Sequence, residues 1–226
     1  MADQIPFQRF FHEATESIPY SIQCQLAERP DLPSLVHVPT GCGKTAMMVL
    51  GWLWRRRFGS QALRSRTPRR LVYCLPMRGL VEQTRDNAVA WLSHLGLLAG
   101  KAKWERECGK PRLVSYVPAW TDPASIAVSV LMGGEETDDW DLHPEWDAII
   151  IGTQDMLLSR ALNRGYGRSR FRWPMQFGLL NSDCLWVCDE VQLMGSGLAS
   201  TAQLGAFRQE LGASGRVQSI WMSATL

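Results

Sequence analysis

The chain has 226 residues, 46% hydrophobic and 20% charged, with a formal net charge of +2. That length holds one large α/β domain or two small ones, and the apolar fraction is ample for a core. The near-neutral charge excludes a globally basic nucleic-acid binder, and the lack of any apolar run of about 18 residues, or of a basic-then-apolar leader, excludes a membrane span and a secretory signal.

Residues 1–34 are mixed and amphipathic, with Phe7, Phe10 and Phe11 placed to cover an apolar surface. The stretch IPYSIQ turns into a helix that ends near Arg29-Pro30. Gln23 lies in it as a candidate adenine reader, because a carboxamide donates and accepts and so matches the two-faced edge of that base. A glutamine on a helix surface is the plainer alternative.

Residues 37–45, HVPTGCGKT, are the centre of the reading. An apolar strand end runs into a tight glycine-bearing loop, and a helix starts at Lys44. This is a P-loop: small residues let backbone N–H groups face a phosphate chain, and the helix adds its partial positive end. Thr40, Gly41, Cys42 and Gly43 form the cradle. Lys44 reaches the β- and γ-phosphates of ATP, and the Thr45 hydroxyl takes one Mg²⁺ position. The usual pattern begins with Gly, where this chain carries Val38. Cys42 reads as a tolerated filler. With Cys24, Cys74, Cys108, Cys184 and Cys188 it forms no CxxC pair or Cys/His ligand spacing, which points to reduced, mostly buried thiols in a cytosolic protein.

A helix follows over 45–57 and ends in three arginines, which suit a helix C-terminus. Residues 58–69 read as a loop, 70–75 (RLVYCL) as a short buried strand, and PMRGLVEQT as a strand-to-helix turn carrying Arg78 and Gln83. Residues 81–95 continue as a helix, and 99–111 read as a polar, solvated connection. Strands are expected over 112–117 and 126–132, the second ending in Gly133-Gly134 before an acidic segment. Another buried strand, 147–151, leads to Thr153 and a helix reaching about Asn163.

Residues 160–173, RALNRGYGRSRFRW, hold Arg160, Arg164, Arg168, Arg170 and Arg172 interleaved with aromatics and no acid. Arginines beside aromatics suit a surface that tracks phosphates and stacks bases; a solvated loop packing its own aromatics fits equally. The strand 183–189 (DCLWVCD) closes on Asp189-Glu190, a placement that lets Asp189 hold Mg²⁺ and Glu190 polarise the attacking water. A helix over 197–211 and a strand over 217–222 lead into Ser223-Ala224-Thr225-Leu226.

Strands alternating with helices argue an α/β fold with a mostly parallel sheet covered by helices on both faces. Ligands bind beyond the carboxyl ends of such strands. Every motif above sits at such an end, which makes them parts of one site in one domain.

The ordered set Gln23, TGCGKT, LPMRGLVEQ, MGG, IIGTQDML, CDEVQ and MSATL resembles the first RecA-like domain of a superfamily 2 helicase, from about residue 18 to 226. The resemblance implies an ATP-driven motor on nucleic acid. It divides the chain into a leader over 1–34 with the adenine-reading motif and the RecA-like ATP-binding domain over 35–226. It makes Lys44, Asp189, Glu190 and Gln192 catalytic, and Ser223 and Thr225 the groups that couple ATP state to motion. Arg78, Gly79, Gly133, Gly134 and Thr153 would line the single-strand path. Gln192 stands where most of this group carry His; it can hydrogen-bond to a neighbouring motif but cannot titrate.

A narrower resemblance lies in LPMRGLVEQT, in residues 160–208 and in WMSATL. These look like the CRISPR-associated helicase–nuclease of type I systems, most like the subtype G (formerly U) branch. It implies single-stranded DNA and a crRNA-guided surveillance complex as partners, in a prokaryotic cytoplasm. It also implies a second RecA-like domain bringing an arginine finger, and an HD nuclease. No motif of either is present, so the chain is expected to be a fragment, weakly active or inactive alone. A nucleotide- and DNA-binding module without motor activity, and an RNA helicase of the same superfamily, are the alternatives.

Overall fold

The short apolar runs become the strands of one sheet because, buried on both faces, they have no polar side to show to water. The computed structural model describes residues 5–134, 139–165 and 169–224. In chain order its elements are α1 (Phe7–Thr15), α2 (Ser21–Glu28), β1 (Leu35–His37), α3 (Lys44–Arg57), α4 (Gln61–Arg66), β2 (Arg70–Leu75), α5 (Arg78–His94), β3 (Gly100–Glu107), β4 (Lys110–Pro118), β5 (Ala127–Leu131), β6 (Ala148–Thr153), α6 (Gln154–Ala161), α7 (Trp173–Leu180), β7 (Cys184–Cys188), α8 (Ser196–Leu211) and β8 (Val217–Ser223).

The main sheet has the order β1-β8-β7-β2-β6-β5, and every neighbouring pair is parallel. Alternate residues of each strand feed two cores. Leu71, Tyr73, Ile149, Ile151, Leu185 and Val187 face α1, α2, α3 and α5. Val72, Cys74, Ile150 and Trp186 face α6, α7 and α8. This is the expected α/β class, with helices on both faces. Among the described residues no helix is long and apolar enough to cross a membrane.

The amphipathic leader joins the first core. Phe7 and Phe10 are buried, with ring centroids 5.7 Å from Trp54 and 5.1 Å from Phe58. Burying such a side chain contributes roughly 1.5–3 kcal/mol. The arginines ending α3 each find a partner. Arg55 donates to the carbonyls of Ala27 (2.9 Å), Arg29 (2.6 Å) and Pro30 (3.1 Å), closing the end of α2. Arg56 and Arg57 pair with Asp147 at 2.9 and 2.6 Å, tying α3 to the approach of β6.

Two expectations are corrected, and one helix is added. Residues 99–111 are no solvated connection: β3 pairs antiparallel with β4 as a hairpin outside the main sheet. Its charges hide a period of two in which Ala102 and Trp104 turn toward the core. Cys108 (φ 49°) and Gly109 (φ 79°) supply the left-handed pair that a tight hairpin turn needs. The 58–69 loop contains α4, whose Ser60 hydroxyl accepts from the Leu63 N–H. The arginine run leads directly into α7, which Pro174 opens in its first turn.

Candidate functional site

Sheet order divides the carboxyl edge in two. The ends of β1, β8 and β7 bring together the 38–44 loop, Ser223 and Asp189-Glu190, while the ends of β2, β6 and β5 carry Arg78, Thr153 and Gly133.

On the first half, β1 releases the loop and α3 begins at Lys44. Gly41 (φ 83°) and Gly43 (φ 67°) are left-handed, which glycine adopts without a Cβ clash. Thr40 and Gly41 are exposed, Cys42 and Thr45 half-buried, and Lys44 buried. Lys44 Nζ lies 2.7 Å from Glu190 Oε1 and 3.9 Å from Asp189 Oδ1. Gln192 Nε2 donates to Glu190 Oε2 at 2.5 Å, and its Oε1 accepts from Ser223 Oγ at 2.9 Å. One continuous chain, Lys44–Glu190–Gln192–Ser223, thus joins the loop, the acidic pair and the last strand.

The two acids sit in different surroundings. Asp189 is only 4% exposed. Burial raises its pKa above the ordinary value, against the opposing pull of Tyr73 and Lys44. Glu190 is more open: burial pushes its pKa up, but hydrogen bonds from Lys44 and Gln192 outweigh that and hold it low. Glu190 adopts φ 52°, ψ 46°, a left-handed conformation uncommon outside glycine and costing roughly 1–2 kcal/mol. Backbone strain of this kind clusters at functional sites.

Asp189 also has a partner that sequence reasoning missed. Tyr73 Oη donates to Asp189 Oδ2 at 2.8 Å. The available signal was a tyrosine in the middle of a buried strand, flanked by Val72 and Cys74. The Thr45 hydroxyl and the Asp189 carboxylate form a hard oxygen donor set that fits Mg²⁺. Among the described residues no group of three or more His, Cys, Asp or Glu could hold a metal ion. These two donors therefore suit a cation that brings phosphate oxygens and waters of its own. When bound, Mg²⁺ would neutralise charge on the phosphates.

Gln23 is not turned outward. It is 1% exposed, its Oε1 accepts from the Tyr20 N–H at 2.8 Å, and its Nε2 donates to the carbonyls of Gly43 (3.1 Å) and Cys42 (3.4 Å). In this arrangement its amide braces the loop and caps α2, rather than offering an edge to a base. A Cβ on Gly43 would lie 2.7 Å from Gln23 Nε2, so loop and brace are fitted to each other.

On the second half, Arg78, Gly79, Gly133 and Gly134 are exposed and Thr153 is buried. The arginine run is split by the fold. Arg172 pairs with buried Asp141 (Nε to Oδ2, 2.9 Å) and with Asp139 (3.1 Å), so its charge is matched by carboxylates within the fold. Arg160 is 1% exposed and donates to Gln176 Oε1 at 3.0 Å; Gln176 in turn donates to Asp141 at 2.8 Å. Arg164 and Arg170 stay exposed, with the Arg170 guanidinium 6.0 Å from the Trp173 ring centre. Arg168 and Thr225 lie outside the described residues.

A family model described as DEAD/DEAH box helicase matches residues 21–226. Comparison with curated proteins gives no match. Among solved structures the chain is similar to the DUF1998 helicase MrfA bound to DNA, with a TM-score of 0.60 and 16% identity over 100% of this chain and 26% of that one. It is also similar to S. cerevisiae Dbp5, as a variant bound to Nup159, a Gle1 variant, IP6 and ADP, with a TM-score of 0.53 and 16% identity over 98% of this chain and 47% of that one. At this identity the likeness is one of fold. The chain spans about half of the Dbp5 chain and a quarter of the MrfA chain.

Proposed function

From the premise that this chain belongs to the DEAD/DEAH box helicase family, we propose that it is the ATP-binding RecA-like half of a single-strand DNA translocase in CRISPR type I interference. Helicase-type ATP binding follows from the family. The DNA substrate, the surveillance-complex partner and a cytoplasmic setting are our reading, supported by the resemblance of residues 160–208 to the type I helicase–nuclease.

The observation that carries the motor reading is the chain Lys44–Glu190–Gln192–Ser223. It links the residue that would meet the phosphates to the strand that would report their state. A nucleotide's phosphates would compete with Glu190 for the Lys44 ammonium, freeing a carboxylate to orient water. Asp189 and Thr45 would hold Mg²⁺. Gln192 would pass the change in Glu190 to Ser223 by hydrogen bonding. Arg78, Gly79, Gly133, Gly134, Thr153 and Arg170 would lie along the strand of nucleic acid.

The test is nucleotide binding and ATP turnover by this chain, with single-stranded DNA, with single-stranded RNA and with neither, against Lys44→Ala. The expected result is binding that Lys44→Ala abolishes, with slow turnover favoured by DNA. An arginine finger adds about 10³–10⁵ in rate, so slow turnover is expected of these residues tested without one. Binding that survives Lys44→Ala would overturn the ATP site. Stimulation by RNA above DNA would replace the CRISPR reading with an RNA helicase.

A further inference from the structure

Tyr73 stands on β2, fully buried, between the inward-facing Leu71 and Leu75. An aliphatic side chain would fill this place without a polar atom. The phenol instead brings a buried hydroxyl, which costs roughly 1–3 kcal/mol unless it is bonded. Its partner comes from a segment distant in sequence: Asp189 at the end of β7, which accepts at 2.8 Å. Asp189 is, with Thr45, one of the two side chains that would hold a divalent cation. Asp189 Oδ1 accepts from the Glu190 N–H at 2.8 Å, so each carboxylate oxygen has its own fixed donor and the carboxylate plane is set.

Metal-binding carboxylates depend on such partners, and losing one typically weakens metal affinity 10–100-fold. We propose that Tyr73 is the positioning residue of the divalent-cation site, orienting the Asp189 carboxylate toward a nucleotide-bound Mg²⁺. This rests on the ATP-site reading above and extends it by a residue outside its motifs. The phenol touches the Asp189 ligand rather than the cation, so its removal alters metal affinity and leaves metal-free nucleotide binding intact.

The experiment follows a fluorescent ADP analogue on the whole chain, titrated with Mg²⁺ from EDTA, for the unaltered protein, Tyr73→Phe, Asp189→Asn and Lys44→Ala. Electron paramagnetic resonance of Mn²⁺ on the ADP complexes reads the metal directly. Tyr73→Phe is expected to match the unaltered chain in EDTA while its Mg²⁺ midpoint rises about tenfold, with Mn²⁺ weakened in parallel. Asp189→Asn should shift the midpoint at least as far, and adding Tyr73→Phe to it should change little, because the phenol acts through that carboxylate.

An unchanged or lowered midpoint in folded Tyr73→Phe overturns the inference. Should that variant fail to fold, tyrosine absorbance of the unaltered ADP complex decides. Mg²⁺ is expected to shift it, and to leave it unmoved in Asp189→Asn; no shift in the unaltered chain overturns the inference. Nucleotide binding that is indifferent to Mg²⁺, or that survives Lys44→Ala, instead removes the ATP-site reading, and this inference with it.

Discussion

The Gln23 side-chain amide donates to the Gly43 carbonyl at 3.1 Å, so a residue that the sequence offers as an adenine reader holds the phosphate loop from behind. Its loss should therefore be felt by any nucleotide. Gln23→Ala is expected to weaken ADP and GDP alike by about 1 kcal/mol, roughly fivefold. Parallel titrations of the two nucleotides check this, and a loss confined to ADP would restore the adenine-reading role. Gly43→Ala should be destabilising at its left-handed φ of 67°, and less so in the Gln23→Ala background, where the 2.7 Å clash is gone.

Asp189 gives a pH signature. Burial raises its folded-state pKa above the ordinary carboxylate value, outweighing Tyr73 and Lys44. The folded chain then holds this proton more tightly than the unfolded chain, so ionisation of the group opposes folding as pH rises from its ordinary value through its raised one. Asp189→Asn is expected to raise the melting temperature at neutral pH, and the gain should vanish below the ordinary carboxylate pKa. Thermal unfolding of both proteins across pH 3–8 would show it.

Arg172 and Arg170 should separate stability from binding. Arg172→Ala leaves the fully buried Asp141 carboxylate with Gln176 as its neutral donor, and is expected to cost about 3 kcal/mol of stability. Arg170→Ala should leave stability within about 0.5 kcal/mol and reduce the salt slope of single-strand binding by about 1. Denaturant melts and salt-dependent binding isotherms test the pair. Equal effects of the two on the salt slope would return Arg172 to the nucleic-acid surface.

Arg55 ties the leader to the P-loop helix. Burial lowers its pKa to about 10, so it stays charged at neutral pH. It donates to three carbonyls around the end of α2. Arg55→Ala is expected to cost about 3 kcal/mol, and Arg55→Lys to recover only part of it, because one ammonium cannot span the fork. Chemical denaturation of the two variants measures the difference.

The sequence alone determined the α/β class, the positions of the parallel strands and the loop over 38–44. These are local matters: short apolar runs leave no polar face, and glycines at Gly41 and Gly43 permit the φ values that the turn requires. The tertiary structure decided what each long polar side chain does. Gln23 and the P-loop, Arg172 and Asp141, and Tyr73 and Asp189 are paired across 20, 31 and 116 residues of chain. Composition showed Arg172 and Arg170 as equals in one basic run; the fold gave one a buried carboxylate and left the other in solvent. A hydrogen bond is made or lost over less than an ångström. The groups that come that close are chosen by strand order and helix packing, which bring distant segments together and which no single stretch of the chain encodes.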